Sequence, residues 1–178
     1  MKRWEWGPFL SLDLATRIGF AEGVPGGIPR YGSFTLPSTG EDVGPFLKAY
    51  HEWLIGMLSF GPKLVTYEIP ILGGNKMNFN TVEKLVGLSN HTQFVCCMKG
   101  IEYGAITIQD NKKFFAGHGR AEKSDMIAAA RAYGLDPKTS DEADALGLWA
   151  FTVNLRARAY DDRFSLGLAG ARPLVEAA

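Results

Sequence analysis

At 178 residues, 46% of them hydrophobic, the chain has the size and apolar content of one globular domain that buries most of its unfolded surface. Its 19 Lys and Arg balance its 19 Asp and Glu, and the pI of about 6.8 excludes a general polyanion binder, so any nucleic-acid surface must be a local basic patch. No window approaches 18 uncharged apolar residues and Glu5 interrupts the start, so no export or membrane segment is expected and the expected location is cytoplasmic.

In chain order, residues 8–14 form an apolar run carrying Asp13. Residues 17–22 and 31–36 follow as two more strand-like segments, separated by Gly/Pro-rich breaks such as Val24-Pro-Gly-Gly-Ile-Pro29. Together they predict a meander of three strands. Ser38-Thr-Gly-Glu41 has the form of a capping box, and Phe46, Leu47, Tyr50, Trp53, Leu54, Met57 and Leu58 recur at helical spacing up to Gly61-Pro62. Leu64-Val-Thr-Tyr-Glu68 reads as a strand ended by Pro70, and the glycine-rich Ile71-Leu-Gly-Gly-Asn-Lys76 leads into a helix over about 80–98. A fifth strand is predicted at 105–108. Lys112 and Lys113 are then expected in a glycine-punctuated loop, followed by helices over about 121–133 and 141–158. This order predicts an α/β domain with a mixed sheet over residues 1–160 and a C-terminal tail over 161–178.

Four carboxylates stand out. Asp13 interrupts the run Phe9-Leu-Ser-Leu-Asp-Leu14, where an unpaired carboxylate is costly to desolvate, so a positive group is expected near it. Its plainer reading is a cap on the turn before Gly19. Glu68 repeats the pattern at the end of another strand, and the plainer reading there is an edge Glu in water. Asp141 and Asp144, three residues apart, share one face of the last helix. Acidic residues complement the first turn of a helix, and Thr139 with Glu142 fits a capping box, which assigns Glu142 to the cap. Asp144 lies past that turn, in front of Ala145, Leu146, Leu148, Trp149 and Phe151, as a charge entering a buried helix. Like charges gathered at one place need a cation. Clustered carboxylates suit Mg²⁺, which takes oxygen ligands, and phosphodiester hydrolysis is the chemistry that uses two such cations about 3.5–4 Å apart.

These residues resemble the RuvC-type crossover junction endonucleases of the ribonuclease-H-like superfamily. The motifs that carry the resemblance are Leu10-Ser-Leu-Asp-Leu-Ala-Thr-Arg-Ile-Gly19, Val65-Thr-Tyr-Glu68, and Gly119-Arg-Ala-Glu-Lys123 followed by Ser140-Asp-Glu-Ala-Asp-Ala-Leu146. The first alone is weak, since sugar kinases have similar first strands; the last pair is more specific. The resemblance implies a three-layer fold with a five-stranded mixed sheet flanked by helices. It also implies that Asp13, Glu68, Asp141 and Asp144 are the catalytic, metal-binding carboxylates. A homodimer would cleave branched DNA, with four-way junctions as the type substrate, and leave 5′-phosphate and 3′-hydroxyl ends. Mg²⁺ would be the cofactor, with Mn²⁺ substituting. Lys112 and Lys123 match basic positions that the family uses against DNA. Between Gly74 and Lys123 there is a modest basic excess, from which Lys76, Lys112, Lys113, Arg120 and Lys123 are assigned to DNA. The family often carries an aromatic residue three positions after the catalytic Glu; here Ile71 stands there, with Met77 or Phe79 as substitutes, which points to relaxed junction specificity. The alternative reading is a non-catalytic nucleic-acid-binding module on the same fold.

The remaining signals have plain readings. Gly117-His-Gly-Arg120 lacks the spacing of a phosphate loop, and His51, His91 and His118 read as ordinary core or surface residues, although His118 near the acids could shuttle a proton. Adjacent Cys96 and Cys97 cannot close an ordinary disulfide and are expected as buried thiols. The four tryptophans are expected to anchor packing.

Overall fold

The computed structural model describes residues 6–70 and 78–158. Five strands form one sheet: β1 (Phe9–Asp13), β2 (Arg17–Gly23), β3 (Arg30–Thr35), β4 (Leu64–Glu68) and β5 (Glu102–Ile106), in the spatial order β3-β2-β1-β4-β5. The first three make the antiparallel meander, whereas β4 pairs with β1 and β5 with β4 in parallel, each after a helical crossover. β1 is the central strand and is buried on both sides, which explains its near-continuous apolar sequence.

The two-residue period of a strand splits β1 and β4 between two cores. Leu10, Leu12, Val65 and Tyr67 face α1 (Val43–Leu58) and α2 (Phe79–Lys99), packing with Phe46, Tyr50, Leu54 and Leu88. Phe9 and Leu64 face α3 (Ile108–Ala116), α4 (Lys123–Ala132) and α5 (Ser140–Arg158), packing with Phe115, Met126, Leu146 and Trp149. The result is three layers, helices on sheet on helices. Leu10, Leu12, Leu54 and Leu88 are wholly inaccessible to solvent, and each such burial stabilises by about 1.5–3 kcal/mol. On the face of α3, α4 and α5, the residues that follow Phe9 and Leu64 at the same period are Ser11 and Asp13, and Thr66 and Glu68. That face therefore turns from apolar to polar toward the C-terminal ends of the two strands.

Four local expectations are corrected. The cap of α1 is Asp42, whose carboxylate accepts from the Gly44 amide at 3.0 Å, and not the Ser38-to-Glu41 box. Pro45, which has no amide to donate, sits in the first turn where none is needed, and this sets the start. Lys112 and Lys113 lie on a helix, α3, rather than in a loop. Thr107 caps it by accepting from the Asp110 amide, Phe115 anchors it in the core, and Gly117 ends it at a φ of 89°. Because Thr107 already belongs to that cap, β5 stops at Ile106. Finally, Cys96 is buried but Cys97 is exposed, as neighbours on a helix point about 100° apart. Among the described residues no helix is long and apolar enough to cross a membrane. Lys76, Ile71 and Met77, and the tail over 161–178, lie outside the described residues.

Candidate active site

The sheet and α5 deliver the four predicted carboxylates to one place. The parallel register sets Leu12 against Tyr67, so the residues that follow, Asp13 and Glu68, emerge together at the same edge of two neighbouring strands. Helix α5 crosses behind them, and its first turns bring Asp141 and Asp144 alongside. The crossing is close: Asp13 pairs with Gly19 across the β1–β2 hairpin, and a Cβ on Gly19 would lie 1.9 Å from the backbone oxygen of Asp141. Only a glycine lets α5 approach this far. Glu142 caps the helix as expected, with its amide donating to Thr139 Oγ1 at 3.3 Å and its carboxylate accepting from the Lys138 amide at 2.6 Å.

The electrostatics of the group follow from burial and like charge. The Asp13 carboxyl is held well above its ordinary range, first by burial and then by Glu68, Asp144 and Asp141, with Lys123 opposing. Burial pushes Glu68 up to about 7; Asp144 adds to this, while a hydrogen bond from Asn111 and the charge of Lys112 oppose it. Burial likewise lifts Asp144 to about 6, with Lys112 opposing, Asp141 adding, and Lys123 opposing. Glu68 Oε2 and Asp144 Oδ1 are buried without a hydrogen-bond partner. These are acceptors in search of positive charge.

The predicted cations divide. Lys112 on α3 and Lys123 at the start of α4 both act on the carboxylates. Lys113 and Arg120 are exposed. His118 pairs with Asp125 on the surface at 3.8 Å.

Sequence reading missed three features of the site. Arg17, at the start of β2, places Nε 3.4 Å from Asp141 Oδ2 and also donates to Ser33 Oγ at 3.1 and 3.2 Å. Asn111, wholly buried, donates from Nδ2 to the backbone oxygen of Asp144 at 3.1 Å. One residue pair below Asp13 and Glu68, the hydroxyls of Ser11, Thr66 and Thr152 form a buried chain with spacings of 2.7 and 2.8 Å that ties β1 to β4 and to α5. Arg17 and Asn111 could be named only from tertiary structure. The hydroxyl chain left a trace, polar residues recurring at period two in otherwise apolar strands.

Among the described residues, no group of three or more His, Cys, Asp or Glu side chains is drawn together tightly enough to hold a metal ion as it stands. In chemistry the group nevertheless fits a hard divalent cation. All four members offer carboxylate oxygens, two of the buried oxygens lack any donor, and burial first and mutual repulsion second raise three of the four carboxyls.

No family model and no curated protein matches the chain. Solved structures do. RuvC of Thermus thermophilus is 20% identical, with 85% of this chain and 96% of that one covered and a TM-score of 0.62. The same protein in complex with a Holliday junction substrate aligns over the same shares at 20% identity and a TM-score of 0.69. The yeast mitochondrial Holliday junction resolvase is 11% identical over 85% of this chain and 80% of its own, with a TM-score of 0.65. The chain has the ribonuclease-H-like fold of the RuvC-type resolvases.

Proposed function

We propose that the chain is a divalent-metal-dependent endonuclease acting on branched DNA, with four-way junctions as its type substrate. The observation that carries this is the convergence of Asp13, Glu68, Asp141 and Asp144, from β1, β4 and α5, into one partly buried group with unpartnered oxygens, on a fold shared with a protein solved on a Holliday junction.

In this reading the four carboxylates would hold Mg²⁺, or Mn²⁺ in its place, and the bound cations would supply the positive charge that phosphodiester hydrolysis needs. The chain's own part is to gather the oxygens, exclude water beneath them with the Ser11–Thr66–Thr152 layer, and orient DNA. Lys112 and Lys123, which act on the carboxylates, contact phosphates there, and Lys113, Arg120 and Lys76 are assigned to the same role. Cleavage leaves 5′-phosphate and 3′-hydroxyl ends. A homodimer supplies two such sites for paired cuts. Its support on this chain is the exposed apolar pair on α2, Phe94 and Met98, 60% and 72% accessible, together with exposed Tyr103 on the edge strand β5.

The test is cleavage of a synthetic four-way junction, a flap and a linear duplex, with Mg²⁺ or with EDTA, by wild type and Asp13→Asn. Junction cutting that needs Mg²⁺ and falls by at least two orders of magnitude in the variant is expected. Cutting that persists in EDTA or in the variant overturns the mechanism, and equal cutting of the linear duplex overturns the specificity. The open spacing of the carboxylates favours a second reading, a non-catalytic nucleic-acid-binding module; binding to the junction with no cleavage in either metal decides for it.

A further inference from the structure

Asn111 has no counterpart among the residues that pointed to the nuclease reading, yet it occupies the interior of the site. It lies in the first turns of α3, is wholly inaccessible, and is bonded to α5, which carries two of the carboxylates. One amide hydrogen goes to the backbone oxygen of Asp144, with Nδ2 at 3.1 Å. The same amide also lies near the Glu68 carboxylate, whose rise it opposes. A single planar group is therefore bonded to α5 and set near the end of β4, at the level of the acids.

The space for it is reserved. A Cβ placed on Gly147, one turn after Asp144, would lie 2.4 Å from Asn111 Oδ1 and 3.0 to 3.1 Å from Met126 and Phe115. Helix α5 thus lacks a side chain at the point where the amide lies. That packing also settles which way the amide faces, since exchanging its nitrogen and oxygen would set Oδ1 against the Asp144 carbonyl, acceptor against acceptor.

The chemical choice is informative. A lysine or arginine bridging Glu68 and Asp144 would neutralise them and compete with a metal for their oxygens. An amide donates hydrogen bonds without adding charge, so it fixes the spacing of the two acids and leaves Glu68 Oε2 and Asp144 Oδ1 unpartnered. We infer that Asn111 is a positioning residue that sets the Glu68–Asp144 spacing for capture of a divalent cation, with Gly147 as the gap that admits it. The inference rests on the metal-binding reading of the four carboxylates.

The experiment is a Mn²⁺ titration of the full chain without DNA, read by electron paramagnetic resonance, alongside thermal melts in EDTA. It compares wild type, Asn111→Leu, Asn111→Ala, Gly147→Ala and Glu68→Gln. Orienting partners of metal ligands typically carry about 10–100-fold in affinity, and a loss of that size is expected in both Asn111 variants. Gly147→Ala, which keeps the amide but displaces it, is expected to reproduce the loss. Asn111→Ala removes volume rather than adding it, and so keeps a folded variant in hand if leucine is rejected. If wild type binds Mn²⁺ no better than Glu68→Gln, the metal reading fails and the role of Asn111 falls with it. If wild type binds and a folded Asn111 variant binds equally well, only the role of Asn111 is overturned, even where its melting temperature has dropped.

Discussion

Gly19 shows how much of the site depends on a side chain that is not there. It faces Asp13 across the hairpin, and its missing Cβ is the space taken by the backbone oxygen of Asp141. Gly19→Ala forces a backbone-to-side-chain clash that neither partner relieves by a rotamer change. Overpacking of this kind costs about 1–3 kcal/mol, a fall of several degrees in Tm for a chain of this length. The strain falls on the first turn of α5, so the variant is expected to lose response to Mg²⁺ as well as stability; unchanged melts and unchanged junction cleavage would refute the packing argument. Gly19 stands in the sequence motif, but its contact is made 122 positions away and no local pattern announces it. The same holds for Asn111 against Gly147. The carboxylates were legible because charge in an apolar run is conspicuous, whereas the residues that seat them look like ordinary turn and helix residues.

Elements with strong periodicity were legible in type and nearly in extent: β1, β4 and α5 carry the acids and were all readable from apolar runs. Helix α3 was not. It has nine residues, its Lys112-Lys113 pair and the glycines that follow resemble a loop, and its burial rests on Phe115 and Asn111. The pairing of α1 with α2 was also invisible, although it has a chemical signature. His51 Nδ1 and His91 Nε2 lie 2.9 Å apart, and His91 is held below its ordinary value by burial first and by His51 second. One ring must accept in that bond, so at least one must be neutral. A depressed histidine contributes stability that is present above its unfolded value, near 6.5, and is lost as pH falls through the folded one. The expected outcome is a stability difference between wild type and His91→Gln that shrinks from pH 7.5 to pH 5.5. Taking the difference cancels the titrating groups outside the His51–His91 pair. A gap that stays constant would show that the pair carries no charge penalty.

For the molecule as a whole, zero net charge conceals a site built against itself, with like charges placed together at the C-terminal ends of β1 and β4. The sheet order that makes this possible was legible only as a class, a mixed sheet. That β1 is central was legible in its apolar flanks, whereas that β4 adds beside it came from tertiary packing. The arrangement has a consequence for global stability. Glu68 moves from 4.5 to about 7 on folding and Asp144 from 3.8 to about 6, so between those values the native state binds more protons than the unfolded one. The contribution of these two groups is therefore full below their unfolded values and is lost as pH rises through 6 and 7. For Glu68 alone the loss is on the order of 1–3 kcal/mol after allowing for partial solvation. In EDTA, Glu68→Gln is thus expected to melt close to wild type near pH 4.5 and several degrees above it near pH 7.5. Divalent cations bind the native state and not the unfolded chain, so they stabilise wild type by mass action. Mg²⁺ at pH 7.5 should then close or reverse the gap, because the variant has lost a ligand as well as a repulsion. A gap independent of pH in EDTA would mean that Glu68 ionises freely in the fold, and a gap untouched by Mg²⁺ would mean that the four carboxylates repel one another without serving a metal.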